Sequence, residues 1–252
     1  MSSDETDLIC TRDGDVLTLT LNRGSKANSL APALVEDLIN ALEQAGDVRM
    51  AIIQGDGKHF CAGFDLSDIA ELSDGDLLWR FVRIELLLQK IHLSPFPIVA
   101  LAHGQIVGAG ADLFAACWRR VAAPGSKLKM PGWNFELALG TGRLAALIGQ
   151  DAARDMLIDT KTISAEQALE LGLATDLVEK VDWSDFASDL AARAGALPQN
   201  ATSRMMGLTR ASDSAECDLA ALVRSAARPG LKARIENYRS RVMRSQKGAS
   251  TN

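Results

Sequence analysis

The sequence is poor in the side chains that most often build metal sites and disulfide frameworks. Its 252 residues include only four cysteines and three histidines, and the cysteines are scattered with no CxxC pair. Zinc sites and disulfide scaffolds require such residues at characteristic spacings. We therefore expect no metal and no disulfide framework, as in a protein of a reducing compartment.

Excess basic charge and long apolar runs are also missing. The net charge of −5 argues against a broad basic surface for nucleic acid or an anionic membrane. The longest apolar stretch, "PIVALAHGQIVGAGADLFAAC", is interrupted by polar residues and glycines that a bilayer span would tolerate poorly. The first residues, "MSSDETDLIC", resemble neither a secretory signal nor a transit peptide. We expect a cytoplasmic protein with neither nucleic-acid nor membrane partners.

Several common catalytic and cofactor motifs are absent. The chain has no GxSxG elbow, no HExxH and no P-loop. The stretch "VGAGADL" begins like GxGxxG, but Leu113 stands at the third glycine position and no acidic residue follows about 20 positions later. These absences argue against a serine-elbow hydrolase, a zinc peptidase and a dinucleotide-binding enzyme.

What is present indicates one large domain with a packed core. Hydrophobic residues make up 47% of the chain and charged residues 23%. Short apolar strands alternate with helical stretches, which predicts an α/β fold of ββα or βα units around a mainly parallel sheet. The strand signal vanishes from about residue 182. We therefore divide the chain into a core, 1–194, and a helical C-terminal subdomain, 195–252.

Two apolar strands are each followed by a turn of small residues. They lie in "AIIQGDGKHFCAGFDL" and "PIVALAHGQIVGAGADL". Small residues let the main chain approach another group closely, and the second turn opens into a helix, whose first N–H groups lack partners. Two backbone donors directed at one point would stabilise an oxyanion such as a thioester enolate.

Three motifs in order carry a resemblance to a known family. "NRGSKANSL" resembles N-R-P-x-x-x-N-A-L, "GDGKHFCAGFDL" resembles G-x-G-x-x-F-x-A-G-x-D-L, and "AHGQIVGAGADL" resembles N-G-x-x-x-G-G-G-x-E-L. Across nearly its whole length the chain is similar to the crotonase, or enoyl-CoA hydratase/isomerase, superfamily. The resemblance implies a crotonase-like spiral of ββα units with a helical C-terminal subdomain, which contributes to oligomerisation and to the CoA site. It also implies an acyl-CoA thioester as substrate, no separate cofactor, and a homotrimer or dimer of trimers.

The resemblance assigns roles to individual residues. It implies that Phe64 and Ala109 supply the two oxyanion-hole amides and that Asp112 is the acid/base carboxylate. Further contacts to CoA or substrate are implied at Lys26, Ala62, Gly63, Asp65, Leu66, Gly108 and Trp133.

Some of these residues also have a purely structural interpretation. Lys26 fits a solvated turn, Asp65 can cap the short helix of "LSDIAEL", and Asp112 is favourable in the first turn of a helix. Trp133 can serve core packing alone. Tyr238, on the last helix, is assigned to packing rather than to a neighbour's ligand.

One position departs from the pattern of the hydratases. These enzymes use two glutamates, and the second follows a proline, but here Pro131 is followed by Gly132. Glu136 lies one turn further on and is a candidate substitute. One carboxylate is enough to move a proton between carbons, whereas hydration needs both an acid and a base.

The sequence therefore predicts an acyl-CoA enzyme acting on an enoyl-CoA, by isomerisation or hydration. Three alternatives stay open: a decarboxylase or hydrolase on the same scaffold, a crotonase-fold binding or assembly protein without catalysis, and an enzyme for a carbonyl substrate without CoA.

Overall fold

The computed structural model describes residues 6–209 and 214–249, in which nine strands alternate with ten α-helices. The strands are β1 Leu8–Asp13, β2 Val16–Leu21, β3 Met50–Gly55, β4 Ile98–Ala102, β5 Gln105–Val107, β6 Arg119–Ala122, β7 Lys127–Lys129, β8 Ile163–Ser164 and β9 Asp176–Leu177. The helices are α1 Pro32–Glu43, α2 Asp74–His92, α3 Ala109–Ala116, α4 Thr141–Ile148, α5 Gln150–Asp159, α6 Ala165–Glu170, α7 Trp183–Gly195, α8 Gln199–Leu208, α9 Ser214–Ala226 and α10 Leu231–Ala249.

The larger sheet has six strands in the order β1–β2–β3–β4–β6–β9. Strands β1 and β2 form the antiparallel hairpin predicted at Asp13-Gly14, where Gly14 has a φ of 54°. All other neighbours in this sheet are parallel. Strand β5 lies between β4 and α3 in the chain. It belongs to a smaller sheet with the strand order β5–β7–β8. The predicted α/β class with a mainly parallel sheet is confirmed.

Both faces of the central strands β3 and β4 are buried, and successive residues of each strand point to opposite faces. On one face, Ile53 and Ala100 join the main core with α1, α2 and α3. On the other face, Ile52 and Val99 pack in a second cluster with Trp183, the first residue of α7. The near-continuous apolar runs of β3 and β4 follow from this arrangement.

The last part of the chain is helical, as expected. From Trp183 onward, the described residues form only helices and their connections. Helix α9 packs on α2 and α4, and Leu222, Leu231 and Ile235 of α9 and α10 belong to the main core. The division at 194/195 stays a prediction. None of the described helices combines the length and apolarity needed to cross a membrane.

Candidate active site

The two small-residue turns lie side by side because they follow neighbouring parallel strands, β3 and β4. Cys61 and Ile106 form a parallel bridge between the turns. The Val107 N–H donates to the Cys61 carbonyl oxygen at 3.0 Å. This pairing sets the register of the two turns. Phe64 and Ala109, each three residues beyond the bridge, consequently reach the same pocket.

Glycine 63 is required by the close approach of these two turns. It has a φ of +90°, and a Cβ there would lie 2.6 Å from the Val107 carbonyl oxygen and 3.0 Å from the Ala109 nitrogen. Any larger residue would push the turns apart. Gly63 therefore allows the backbone of the second turn to pack directly against the first.

The peptide units that carry the amides of Phe64 and Ala109 are fixed in orientation by hydrogen bonds to their carbonyl oxygens. The Gly63 carbonyl accepts from the Leu30 N–H at 2.7 Å, and the Gly108 carbonyl accepts from the Ala111 N–H at 2.8 Å. In a trans peptide the N–H points opposite to the carbonyl. Within residues 6–209 and 214–249, neither amide donates to another protein group. Both are available to a ligand.

The pocket beside these amides is almost wholly apolar. Its volume is about 180 Å³, and its wall includes Asp112 as the single carboxylate among the described lining residues. The Phe64 ring stacks on the Phe81 ring with centroids 4.3 Å apart. The wall consists of Ala62, Phe64, Leu66, Phe81, Val107, Gly108, Ala109, Asp112, Met130, Pro131, Gly132, Trp133, Phe135, Leu137, Leu139, Leu157, Ile235 and Tyr238.

Asp112 lies in the first turn of α3 and is only 4% exposed. Its Oδ1 atom is buried without a hydrogen-bond partner among the described groups. Burial, the largest cause, raises the pKa of Asp112 well above its ordinary value, against the lowering effect of Arg143. The carboxylates of Glu85 and Asp218 raise this pKa further. A buried acid of this kind is suited to proton transfer.

Known proteins are similar to this chain in both sequence and fold. The sequence model of the enoyl-CoA hydratase/isomerase family matches residues 11–222. The chain belongs to this family.

Individual relatives agree with that assignment. The chain is 35% identical over 181 residues to the Mycobacterium bovis protein named "Probable enoyl-CoA hydratase echA6", covering 70% of this chain and 72% of the relative. It is 31% identical to the 2,3-dehydroadipyl-CoA hydratase of Escherichia coli, covering 74% and 75% of the two chains. A crystal structure of an enoyl-CoA hydratase/isomerase from Bordetella parapertussis superposes with a TM-score of 0.90 at 40% identity, covering 92% and 98%. The predicted crotonase resemblance is confirmed.

The structure brings most of the residues expected from the family pattern together in the pocket wall. Gly63 supports that wall from behind, through its contact with the Ala109 amide. Lys26 is exposed in a 3₁₀ turn and does not line the pocket. The residues that do line it are Ala62, Phe64, Leu66, Gly108, Ala109, Asp112 and Trp133.

Asp65 is buried behind the wall rather than facing the pocket. It accepts hydrogen bonds from Ser67 and forms an ion pair with Arg23 at 2.8 Å. Burial acts to raise the pKa of Asp65, but the bonds from Ser67 and Arg23 outweigh it and lower the pKa to about 2. This acid therefore braces the loop in its ionised form.

The segment in which family hydratases carry a second glutamate has a different geometry here. Gly132 lines the pocket without offering a side chain. Glu136 adopts a left-handed backbone conformation and forms an ion pair with Arg228 at 2.7 Å. It is absent from the described pocket wall, so the geometry does not favour it as a substitute.

Several wall residues were not found by sequence reasoning. Phe81 comes from α2 and Leu157 from α5, and both look like ordinary core residues in the sequence. Ile235 and Tyr238 of α10 close the pocket, and the Tyr238 ring lies 5.4 Å from that of Phe135. The chain's own last helix thus covers its pocket.

Gly63→Ala is expected to lower kcat/KM by about 10²-fold or more, the typical effect of displacing a backbone hydrogen-bond donor in an active site. The added methyl group meets Val107 and Ala109 and displaces their backbone. Gly46→Ala is the matched control, because Gly46 has a φ of +64° but its nearest atom is 3.9 Å away. Steady-state kinetics and thermal unfolding should be compared for the two variants. Equal, small effects would show that the close approach at Gly63 does not matter for activity.

Proposed function

We propose that this family member is an enzyme that binds a CoA thioester with its carbonyl oxygen between the amides of Phe64 and Ala109. The observation that carries this proposal is that two unengaged amides and a buried carboxylate, Asp112, line one apolar pocket. Hydrogen bonds to the carbonyl oxygen stabilise the enolate formed when a proton leaves Cα.

In the proposed reaction, Asp112 moves one proton between two carbons of an enoyl-CoA. Its carboxylate removes a proton from Cα of a 3-enoyl thioester, and the C–H electrons form the enolate. The enolate then collapses, the double bond moves to the 2,3 position, and Asp112 returns its proton to Cγ. No proton, water or electron is gained or lost overall.

The single carboxylate favours isomerisation over hydration. Addition of water by paired carboxylates needs one as a base for the water and one as an acid for Cα, and Asp112 is the single carboxylate of the described wall. A raised pKa suits the shuttle, because a weaker acid is a stronger base and retains the proton until it is returned. Hydration is the second candidate: Asp112 gives its proton to Cα, water adds its oxygen to Cβ, and the surplus proton of that water returns to the Asp112 carboxylate.

The acyl group is proposed to be uncharged and apolar. The described wall contains no cationic side chain to pair with a terminal carboxylate, and an unpaired charge in an apolar site is costly. Phe81, Leu139 and Leu157 instead offer surface to hydrocarbon.

The absence of a separate cofactor and the assembly as a homotrimer or dimer of trimers remain predictions from the family resemblance, and the cytoplasmic location remains a prediction from the sequence.

A turnover screen tests the proposed function. We expect conversion of apolar 3-enoyl-CoA esters to 2-enoyl-CoA, with slower hydration of 2-enoyl-CoA and at least tenfold lower kcat/KM for esters that end in a carboxylate. Malonyl-type esters and saturated acyl-CoA report decarboxylation and thioester hydrolysis. Calorimetry with a non-hydrolysable acyl-CoA measures binding separately. Binding without turnover would identify a binding protein, and absence of both would remove acyl-CoA as the ligand.

A further inference from the structure

The start of α4 lies between two buried carboxylates. A Cβ at Gly140 would overlap the Oδ1 atom of Asp112, and a Cβ at Gly142 would lie 2.5 Å from the Oδ1 atom of Asp218. The Gly142 N–H donates to that same Asp218 oxygen at 3.0 Å. The two glycines of "GTGR" therefore let one helix end contact an acid of α3 and an acid of α9.

Arg143, the next residue, is held by two other acids. Its Nη1 and Nη2 atoms donate to the Glu85 carboxylate at 2.9 and 2.5 Å, and Nη1 lies 3.5 Å from Asp218 Oδ2. The exposed fractions of the Arg143, Glu85 and Asp218 side chains are 2%, 0% and 6%. One guanidinium, which stays charged in proteins, therefore has two buried carboxylates as partners.

Asp112 is a third carboxylate beside this group, without a direct bond to the guanidinium. An unopposed arginine would favour the ionised form of Asp112. Here Glu85 and Asp218 are both paired with Arg143, so its positive charge is already balanced. A buried acid that faces a balanced ion cluster gains little by losing its proton.

We propose that Glu85 and Asp218 are positioning residues that take up the charge of Arg143 and so allow Asp112 to hold its proton at pH values where an ordinary aspartate has lost it. The use of Asp112 as a proton carrier rests on the proposed function, whereas its strengthened hold on a proton does not. The direction of the Asp112 pKa agrees with this arrangement.

The titratable groups around Asp112 come from four described elements. They are Glu85 of α2, Arg143 of α4, Asp218 of α9 and, across the pocket, Tyr238 of α10. Burial raises the pKa of Tyr238, so this residue is neutral at neutral pH. Strand β5, which also packs on α3, contains no titratable side chain.

The test follows the carboxylic acid of Asp112 directly, by infrared difference spectra of the full chain against Asp112→Asn across a pH titration. In Asp218→Asn we expect Asp112 to lose its proton at lower pH than in the wild type. The asparagine keeps the shape and the acceptor for the Gly142 N–H but removes one negative charge. Glu85→Gln should shift the titration in the same direction. The rising limb of the kcat/KM pH profile should move with it.

Glu36→Gln is the matched control, because Glu36 forms a similar bidentate pair with Arg83 of α2 but its side chain is 44% exposed. It should leave the Asp112 titration in place. The inference is overturned if Asp218→Asn and Glu85→Gln behave like this control. It is also overturned, with no variant of the cluster needed, if wild-type Asp112 titrates at the ordinary aspartate pKa. A shifted titration in a protein that turns over no acyl-CoA would support the inference and remove the proposed function.

Discussion

Asp112→Asn is expected to lower kcat for the best enoyl-CoA substrate by about 10²–10⁴-fold, the usual contribution of a positioned acid or base. An amide can neither accept a proton from Cα nor return one to Cγ. The dissociation constant for a non-hydrolysable acyl-CoA should change little, because the apolar wall and both amides are retained. Steady-state kinetics and calorimetry measure the two quantities. Unchanged turnover would remove Asp112 from the mechanism.

The stability of the same variant provides its control. The folded state raises the pKa of Asp112, so above the ordinary aspartate pKa of about 3.9 the folded wild type binds more protons than the unfolded chain. Wild-type stability from this group therefore falls as pH rises from about 4 towards the raised pKa. Asp112→Asn avoids that cost, so its free energy of unfolding relative to the wild type should increase over this range. Denaturant titrations at several pH values measure this difference. If Asp112→Asn were instead less stable than the wild type across the range, its loss of activity could be attributed to a folding defect.

Ala109→Pro is expected to lower kcat by about 10²–10³-fold, the typical effect of losing one oxyanion donor. Proline removes the amide N–H, and Ala109 is the first residue of α3, where helices tolerate proline well. The fold should therefore survive while one proposed donor is lost. Because the carbonyl oxygen is held more tightly as the enolate forms, kcat should fall more than affinity.

Gln150→Pro is the matched control for the proline substitution. Gln150 is the first residue of α5 and, like Ala109, follows a glycine N-cap with positive φ. It lies outside the described pocket wall, so its activity should remain near that of the wild type. If Ala109→Pro also folds and retains full kcat, the second donor has been assigned to the wrong residue.

The parts of the fold that could be predicted are those that local sequence determines. The Asp13-Gly14 turn and the alternating residues of β2 predict a hairpin because turn type and side-chain alternation are local properties. The glycines around Phe64 and Ala109 likewise indicate backbone approach, because few other residues fit there.

The buried ion cluster could not be predicted in the same way. Glu85 lies among apolar residues of α2, and its partner Arg143 is 58 positions away. Asp218, the other acid paired with Arg143, is more than 100 positions from Glu85. A single charged residue on a helix indicates neither its partner nor its burial. Lys26 shows the opposite case, since a residue singled out by a motif remains in solvent outside the pocket wall.

The sequence by itself determined the family, the α/β class and the pair of small-residue turns, because these follow from local spacing and turn chemistry. Only the tertiary structure decided which side chains surround the pocket, that Glu136 is turned to the surface, and that two buried acids share one buried arginine. Those outcomes depend on contacts between residues far apart in the chain, and such contacts arise only when the sheet and its helices have packed together.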